Sequence, residues 1–205
     1  MLTEIKPIET EYKGYRFRSR LEARWAVFLD AIGANWEYEP EGYSLPGEQR
    51  YLPDFLIHNV KGRIEGDLYI EVKGVLSKND LRKIETFAGR YCPREGNDWY
   101  NCENCPLGHR CEYRSSTPVP ILIVGNIPEP EDYWWWVVDT SYENNYFFNL
   151  YLIDGDWFPA VPCMDSRGGL HIDDGNHNYE DYVEESLTKD AYRKARSARF
   201  EQEEK

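Results

Sequence analysis

Apolar residues recur at helical spacing over residues 19 to 32, and this pattern predicts the first helix of the chain. Ser19 is suited to cap its start, and Gly33 is suited to end it. Glu22 falls at the margin of the apolar stripe, so we expect its carboxylate where the helix meets the sheet. A solvated glutamate on the helix surface is the plain alternative. The apolar positions are Leu21, Trp25, Phe28, Leu29 and Ile32.

The stretch that follows has the composition of β-strands. NWEYEPEGYSL predicts a short strand broken by Pro40 and Gly42, and RYLPDFLIH and DLYIEVKG predict two more, together forming a meander. Ser77 then caps a second predicted helix, and the continuous apolar run PVPILIVGNI predicts a buried strand. The predicted order is therefore helix, three strands, helix, strand.

Side-chain alternation brings charged residues together on the predicted strands. In DLYIEVKG, Glu71 and Lys73 share one face, and Asp54 lies on the neighbouring strand. Two adjacent carboxylates form a site for a hard divalent cation such as Mg²⁺, which activates water and offsets charge on a phosphodiester. Lys73 can orient or help to deprotonate that water. The plain alternative is an exposed Glu-Lys pair on a surface strand.

The length of 205 residues predicts one domain of ordinary size with a small insertion. No apolar run approaches the roughly 18 to 20 residues that span a bilayer, and the N-terminal stretch has no signal-peptide core. We therefore expect a cytoplasmic protein that does not act in a membrane. An odd count of five cysteines in a reducing compartment argues against a disulfide framework.

The negative charge of the chain is concentrated in one segment. Residues 125 to 186 contain fourteen acidic residues and one basic residue, Arg167, which gives −13, whereas the remainder has 23 of each sign. The net charge therefore argues against a protein that coats nucleic acid by bulk electrostatics, but local basic clusters remain as candidate phosphate contacts or as solvated helix faces. These clusters are Lys13, Arg16, Arg18, Arg20 and Arg24 near the N-terminus, and Arg193, Lys194, Arg196 and Arg199 near the C-terminus.

Four cysteines crowd into the stretch CPREGNDWYNCENCPLGHRC, where Cys102 and Cys105 have the spacing of a metal knuckle. With Cys92 and Cys111 they predict a tetrahedral Zn²⁺ site that clamps a loop, and His109 is a spare ligand. Four reduced thiols are the plain alternative. The pattern also resembles the tail of the iron-sulfur staple in RecB-like nucleases, which leaves a [4Fe–4S] cluster open, although that family places its first cysteine before the nuclease core.

The acidic segment is rich in aromatic residues. YWWWVVDT and YFFNLYLIDGDWFPAVP predict strands that extend the sheet or form a small appendage. The tryptophans at 134 to 136 could stack on bases, but packing in a core or interface is the stronger interpretation because no basic residue is near. Cys163, His171 and His177 form no convincing site.

The element order, with Pro53-Asp54 followed by Glu71-Val72-Lys73, resembles the PD-(D/E)XK nuclease superfamily over roughly residues 12 to 125. The resemblance implies an α/β (α+β) fold with a restriction-endonuclease-like α-β-β-β-α-β core. In phage resolving endonucleases and transposase cleavage subunits, a preceding helix supplies another glutamate, and YRFRSRLEARWAVFLDAIGANWEYEPE is similar to it. The implied catalytic and metal set is Glu22, Asp54, Glu71 and Lys73, with Mg²⁺ or Mn²⁺ as cofactor.

The corresponding organisation is a nuclease core over 1–125 with a cysteine insertion at 92–111, an acidic β extension over 126–178, and a C-terminal helix over 179–205. The end of the chain, AYRKARSARFEQEEK, also resembles uncharacterised phage-encoded predicted nucleases, which would place the protein in a host cytoplasm. Candidate DNA contacts are Arg16, Arg18, Arg20 and Arg24.

The sequence predicts a metal-dependent DNA nuclease, an endonuclease in preference to an exonuclease. Two alternatives stay open. One is an acidic protein that binds a protein partner through residues 125–186, as a DNA mimic does, and the other is an inactive DNA-binding module on the same fold. Substrate structure and the need for a homodimer are not determined by the sequence.

Overall fold

The computed structural model describes residues 7–45, 48–62, 66–88, 91–92, 97–98, 120–131, 150–153, 156–173 and 183–200. Its helices are α1 (Arg20–Ala31), α2 (Lys78–Phe87) and α3 (Glu185–Ser197). None of the helices in these ranges is long and apolar enough to cross a membrane. The strands are β1 (Thr10–Tyr12), β2 (Tyr15–Phe17), β3 (Asn35–Tyr38), β4 (Tyr43–Leu45), β5 (Gln49–Tyr51), β6 (Phe55–Gly62), β7 (Gly66–Val72), β8 (Tyr91–Cys92), β9 (Asn97–Asp98), β10 (Ile121–Val124), β11 (Leu150–Ile153), β12 (Asp156–Pro159), β13 (Val161–Met164) and β14 (Leu170–Asp173).

A mixed sheet organises the fold, which confirms the α/β class at this level. Its strand order is β12-β11-β10-β7-β6-β14-β13, and β3 pairs with the first half of β6. The strands β3 and β7 each pair antiparallel with β6, whereas β10 runs parallel to β7. The predicted order of helix, three strands, helix and strand is present as α1, β3, β6, β7, α2 and β10.

Two predicted strands differ in detail from the observed ones. NWEYEPEGYSL forms β3 and β4 separately, and RYLPDFLIH is divided into β5 and β6 by residues 52–54. Pro53 lacks a backbone N–H and cannot donate to a strand ladder, so the chain leaves the hairpin at this point and enters the sheet after Asp54. This break separates the small β4–β5 hairpin from the main sheet.

The two faces of the sheet have different cores because side chains alternate along each strand. Ile70 and Val72 pack with α1 and α3 in the larger core, whereas Tyr69 packs with α2 and the β4–β5 hairpin in the smaller one. The predicted division of β7 into an apolar face and a face with Glu71 and Lys73 is confirmed. Polar groups on the second face therefore meet α2 and the hairpin.

Helix α1 is held from several sides. Ser19 caps it by accepting from the Glu22 amide at 3.2 Å, and Gly33 follows it with a φ of +71° that favours glycine. The Trp25 indole donates to the Gly125 carbonyl at 2.7 Å. Phe28 stacks on Tyr192 of α3 with ring centroids 4.4 Å apart. These contacts fix the position of the helix N-terminus relative to the sheet.

The hairpin β1–β2 is not predicted by the periodicity of the chain. Its two-residue turn consists of Lys13 and Gly14, with φ values of 50° and 82°. Two successive positive φ angles are typical of the type I′ turn that joins antiparallel strands.

The acidic segment contributes strands to both edges of the sheet. β11 and β12 continue the sheet beyond β10, while β14 pairs in parallel with the end of β6 and carries β13 with it. YWWWVVDT lies outside the described residues. The C-terminal helix spans Glu185–Ser197 within the predicted range of 179–205.

Candidate functional site

Charged side chains meet beside a cavity of about 600 Å³ that is bounded by the β4–β5 hairpin, α2 and the end of β7. Glu71 and Lys73 line this cavity directly, and so does Arg18 from the segment before α1. Asp54 lies in contact with Arg18. The structure therefore brings elements from four parts of the chain to one place.

Asp54 is a buried carboxylate with both oxygens engaged. It is 1% exposed, and its Oδ2 accepts from the Val72 backbone amide at 2.7 Å. Its Oδ1 forms an ion pair with the guanidinium of Arg18. One oxygen is thus fixed by a neutral donor, and the other faces a cation.

Glu71 repeats this arrangement on the next strand. It is 4% exposed, and its Oε2 accepts from the Tyr51 hydroxyl at 2.7 Å. Its Oε1 lies 2.5 Å from the Lys73 ammonium. The predicted projection of Glu71 and Lys73 to one side of β7 is observed as a direct ion pair.

Glu22 is also buried, and its contacts combine a cap at the start of its own helix with a hydrogen bond to β3. Its Oε1 accepts from the Ser19 hydroxyl at 2.7 Å, and its Oε2 accepts from the Tyr38 hydroxyl at 2.6 Å and the Arg18 amide at 3.2 Å. The pattern Ser-x-x-Glu at a helix start indicates this role. Glu22 lies at the edge of the site, 4.0 Å from the Arg18 Nε, with both oxygens hydrogen-bonded.

Arg18 links the carboxylates. Its Nε lies 2.8 Å from Glu39 Oε1, and its side chain remains 53% exposed. Because it lines the cavity while pairing with Asp54, it stands between that buried carboxylate and the cavity. A guanidinium in this position can neutralise Asp54 and present its outer face to an anion.

Burial and neighbouring charge shift the ionisation of the site. Burial, together with the charge of Glu71, raises the pKa of Asp54 to about 7, against the opposing effect of Lys73. Burial disfavours the charged form of Lys73, but the charges of Glu71 and Asp54 outweigh it and raise the pKa of the ammonium. Lys73 is therefore a fixed cation at neutral pH.

The predicted basic clusters are only partly at the site. Of the four arginines predicted to contact DNA, Arg18 alone lines the cavity; Arg16 pairs with Glu9, and Arg20 and Arg24 lie on α1. In the C-terminal cluster, Arg193 pairs with Glu131 and Arg196 pairs with Glu129, so these two cations are engaged with the acidic segment.

Two basic residues of the cavity, Arg50 and Lys83, were not predicted from the sequence. Arg50 immediately precedes the stretch YLPD that leads to Asp54, and Lys83 lies on the face of α2 turned to the site. Neither position has a motif of its own. Their role depends on the hairpin folding onto α2, which side-chain alternation within one strand cannot reveal.

The donor chemistry suits a hard divalent cation, since Asp54 and Glu71 each hold one carboxylate oxygen with a neutral donor and direct the other toward positive charge. Within the described ranges, no three histidine, cysteine or acidic side chains form a group that could hold a metal as they stand. Arg18 and Lys73 occupy the cation-facing positions of the two carboxylates.

The predicted cysteine site lies outside the part of the chain that the structure describes. Cys102, Cys105, Cys111 and His109 belong to undescribed residues, and only the backbone of Cys92 is described, at the end of β8. The zinc site and the iron-sulfur alternative therefore remain predictions.

A second group of buried polar residues lies at the β13–β14 turn. His171 Nδ1 is 3.5 Å from Asp165 Oδ2, and Cys163 is a buried free thiol nearby on β13. Burial lowers the pKa of His171 despite the attraction of Asp165 and Asp173. His177 lies outside the described residues. Cys163, Asp165 and His171 are not among the residues that line the cavity beside Glu71.

Comparison with protein-family models, curated proteins and solved structures finds no match to the chain. The resemblance to the PD-(D/E)XK superfamily thus depends on motifs and on element order alone. Function is inferred from the chemistry of the side chains at the cavity.

Proposed function

We propose that the protein is a metal-dependent DNA nuclease that cuts within a strand. One observation carries this proposal: buried Asp54 and Glu71, each oriented by a neutral donor, meet two protein cations beside a cavity rich in basic side chains. Buried carboxylates assembled across several elements are costly, and such arrangements cluster at functional sites. A local excess of positive charge in a chain of −13 favours an anionic ligand.

Asp54 and Glu71 would hold Mg²⁺ or Mn²⁺, with Glu22 as the adjoining third carboxylate. A bound divalent cation supplies an activated water and offsets charge on the phosphodiester. The Val72 amide and the Tyr51 hydroxyl keep the two carboxylates oriented. This support is the role that outer hydrogen bonds have at metal centres.

Lys73 contributes positive charge and not a basic nitrogen. Glu71 holds it protonated, so its ammonium can orient water or stabilise charge that develops on phosphate oxygens. Arg18 compensates the charge of Asp54 and can turn its exposed side toward a phosphate. These residues serve binding and charge stabilisation.

We further propose that α1, β3, β6, β7, α2 and β10 form a restriction-endonuclease-like core. The antiparallel β3-β6-β7 arrangement, followed by a helix and a strand parallel to β7, supports this assignment. The position of Asp54 before β6 and of Glu71 near the end of β7 is consistent with it.

Nicking of supercoiled and branched DNA tests the proposal. We expect product with Mg²⁺ or Mn²⁺ and none with EDTA. If wild type binds neither linear nor branched DNA at low salt with Ca²⁺, and cuts none with Mg²⁺, the nuclease proposal is wrong and a DNA mimic that binds a protein partner takes its place. Binding without cutting would indicate an inactive DNA-binding module.

We also propose that Cys92, Cys102, Cys105 and Cys111 bind one Zn²⁺ ion in a structural role. The Cys-x-x-Cys knuckle supports this assignment. Elemental analysis is expected to find one equivalent of zinc. Iron with inorganic sulfide would indicate the [4Fe–4S] alternative, and neither metal would contradict both.

A further inference from the structure

The walls of the cavity carry two basic residues on opposite elements. Arg50 comes from β5 of the small hairpin, and Lys83 comes from α2. Gly42, Ser44 and Arg50 are exposed, so the cavity opens to solvent on the hairpin side. A ligand in this cavity is in reach of Arg50 and Lys83 as well as Glu71.

The charge on these walls is not compensated as it is at the base. Arg18 and Lys73 pair with Asp54 and Glu71, but neither Arg50 nor Lys83 has an ion pair with any described residue. The remaining acid of the lining, Asp80, is engaged in the α2 cap, where it accepts from the Ser77 amide at 3.1 Å. Among the described residues, the cations of the cavity that have no ion pair are therefore those on the walls.

Lys83 is directly connected to the carboxylate site. Its ammonium lies 5.9 Å from the centre of the Tyr51 ring, and the hydroxyl of that ring donates to Glu71 at 2.7 Å. A single aromatic ring thus separates the lysine from a proposed metal ligand. Because each strand of a duplex carries one phosphate for about every 3.4 Å of helix axis, a strand that reacts near Glu71 brings neighbouring phosphates toward the cavity walls.

We propose that Arg50 and Lys83 form a binding site for the phosphodiester backbone of the strand that is cut, on phosphates that flank the reacting one. The inference deepens the proposed nuclease function and rests on it. The cavity has the size of a pocket for a small ligand, so it accepts a segment of one strand and not a whole duplex. The two walls contact phosphate and read no base sequence.

DNA binding with Ca²⁺ in place of Mg²⁺ tests this site without cutting. The double variant Arg50→Ala/Lys83→Ala should bind a single-stranded oligonucleotide about tenfold or more weakly at low salt, equally for different sequences. The dependence of log affinity on log salt should flatten by about 0.7 for each lost contact. The matched control is Lys78→Ala/Arg82→Ala, which removes two exposed cations of α2 that do not line the cavity. Its affinity should stay near that of wild type.

Competition with inorganic phosphate separates a strand site from a site for free phosphate. We expect displacement of the oligonucleotide only at phosphate concentrations that act through ionic strength. Tight phosphate binding that is lost in the Arg50→Ala/Lys83→Ala variant would overturn the assignment to a strand.

The two proposals fail in different ways. Cutting by wild type, with equal DNA affinity in the wall variant and its control, would overturn the wall site and leave the nuclease proposal standing. If the Arg50→Ala/Lys83→Ala variant alone binds DNA more weakly and wild type never cuts, the phosphate-binding site is retained and the nuclease proposal is overturned. Thermal denaturation of both variants checks that the fold is unchanged.

Discussion

Two groups of buried acids in this molecule are stabilised in opposite ways. Asp165 accepts from its neighbour Arg167 at 2.8 Å from the backbone and 2.9 Å from Nε, so its partner is two residues away in the same turn. Asp54 has its partners 18 and 36 residues away, at Val72 and Arg18. Local pairing is sufficient to close a turn. Pairing across elements beside a cavity is typical of a site that binds something.

The pKa values of Asp165 and Asp54 are also shifted in opposite directions. Burial alone would raise the pKa of Asp165, but hydrogen bonds from Arg167 lower it below its usual range. Burial and Glu71 raise the pKa of Asp54 to about 7. The turn thus stabilises the charged form of Asp165. The site keeps Asp54 charged at a cost in free energy, so it is suited to a further cation.

The largest expected effect is on activity, which should depend on the residues at the cavity and not on Asp165 at the turn. Asp54→Asn or Lys73→Ala should reduce DNA nicking by about 10² to 10³ or more, because metal-binding and charge-stabilising groups are lost. Asp165→Asn should leave nicking by the folded protein near the wild-type rate. Initial rates on supercoiled DNA, below the melting temperature of each variant, measure both. Equal losses in Asp54→Asn and Asp165→Asn would remove the distinction.

For stability, Asp165→Asn should have a larger effect than Asp54→Asn. Asp165→Asn should lower the free energy of unfolding by about 1 to 3 kcal/mol, because charge-assisted hydrogen bonds to a buried acid are lost. In EDTA, Asp54→Asn should change it by about 1 kcal/mol or less, because removal of a buried charge next to Glu71 offsets the lost pair with half-exposed Arg18. Urea denaturation at pH 7.5 measures both. A larger loss in Asp54→Asn would show that Asp54 serves the fold.

His171, in the buried group at the β13–β14 turn, should make the stability of the protein depend on pH. The folded pKa of His171 is lower than its ordinary value of 6.5, so the unfolded chain binds its proton first. The stability contribution is fully present above pH 6.5 and is lost as pH falls, by up to about 1.4 kcal/mol per pH unit. Asp54, with a pKa of about 7, takes up a proton over the same range with the opposite effect, so the comparison is made in an Asp54→Asn background. There, His171→Gln should make the free energy of unfolding less dependent on pH between 7 and 5. An unchanged pH dependence would contradict the shift.

The smallest effect concerns Arg18. Removing its guanidinium exposes Asp54 to the cavity, so Arg18→Ala should bind Mn²⁺ or Ca²⁺ a few-fold more tightly than wild type while cutting DNA more slowly. Calorimetric titration measures the first change and nicking measures the second. Arg16→Ala is the control, since that arginine pairs with Glu9 and does not line the cavity. Weaker cation binding in Arg18→Ala would indicate that Arg18 supports the site and does not compete for it.

Much of the framework follows from local pattern. The periodicity of α1, the apolar run of β10 and the Ser77 cap of α2 are all found as predicted. The proximity of Glu71 and Lys73 is predicted by alternation within one strand, which needs no knowledge of the rest of the fold. Local rules decide these features because the residues concerned are neighbours along the chain.

The remaining site residues depend on distant pairing. Tyr51, Arg50 and Lys83 reach the cavity because a hairpin that ends before Pro53 folds onto α2, and no local pattern specifies that contact. Two signals were available in the sequence and were missed. They are the Lys-Gly turn of the β1–β2 hairpin and the Ser-x-x-Glu pattern that accounts for the contact between Ser19 and Glu22.

The stacking of Tyr192 on Phe28 has a consequence for synthesis of the protein. Helix α1 holds Glu22 and follows Arg18, yet part of its apolar surface packs against α3, far along the chain. A ribosome makes these two helices more than 150 residues apart, so α1 keeps exposed apolar surface until α3 has been made. A truncated or nascent chain should therefore lack a correctly seated Arg18 and Glu22. Assembly of the charged site is delayed until α3 has left the ribosome.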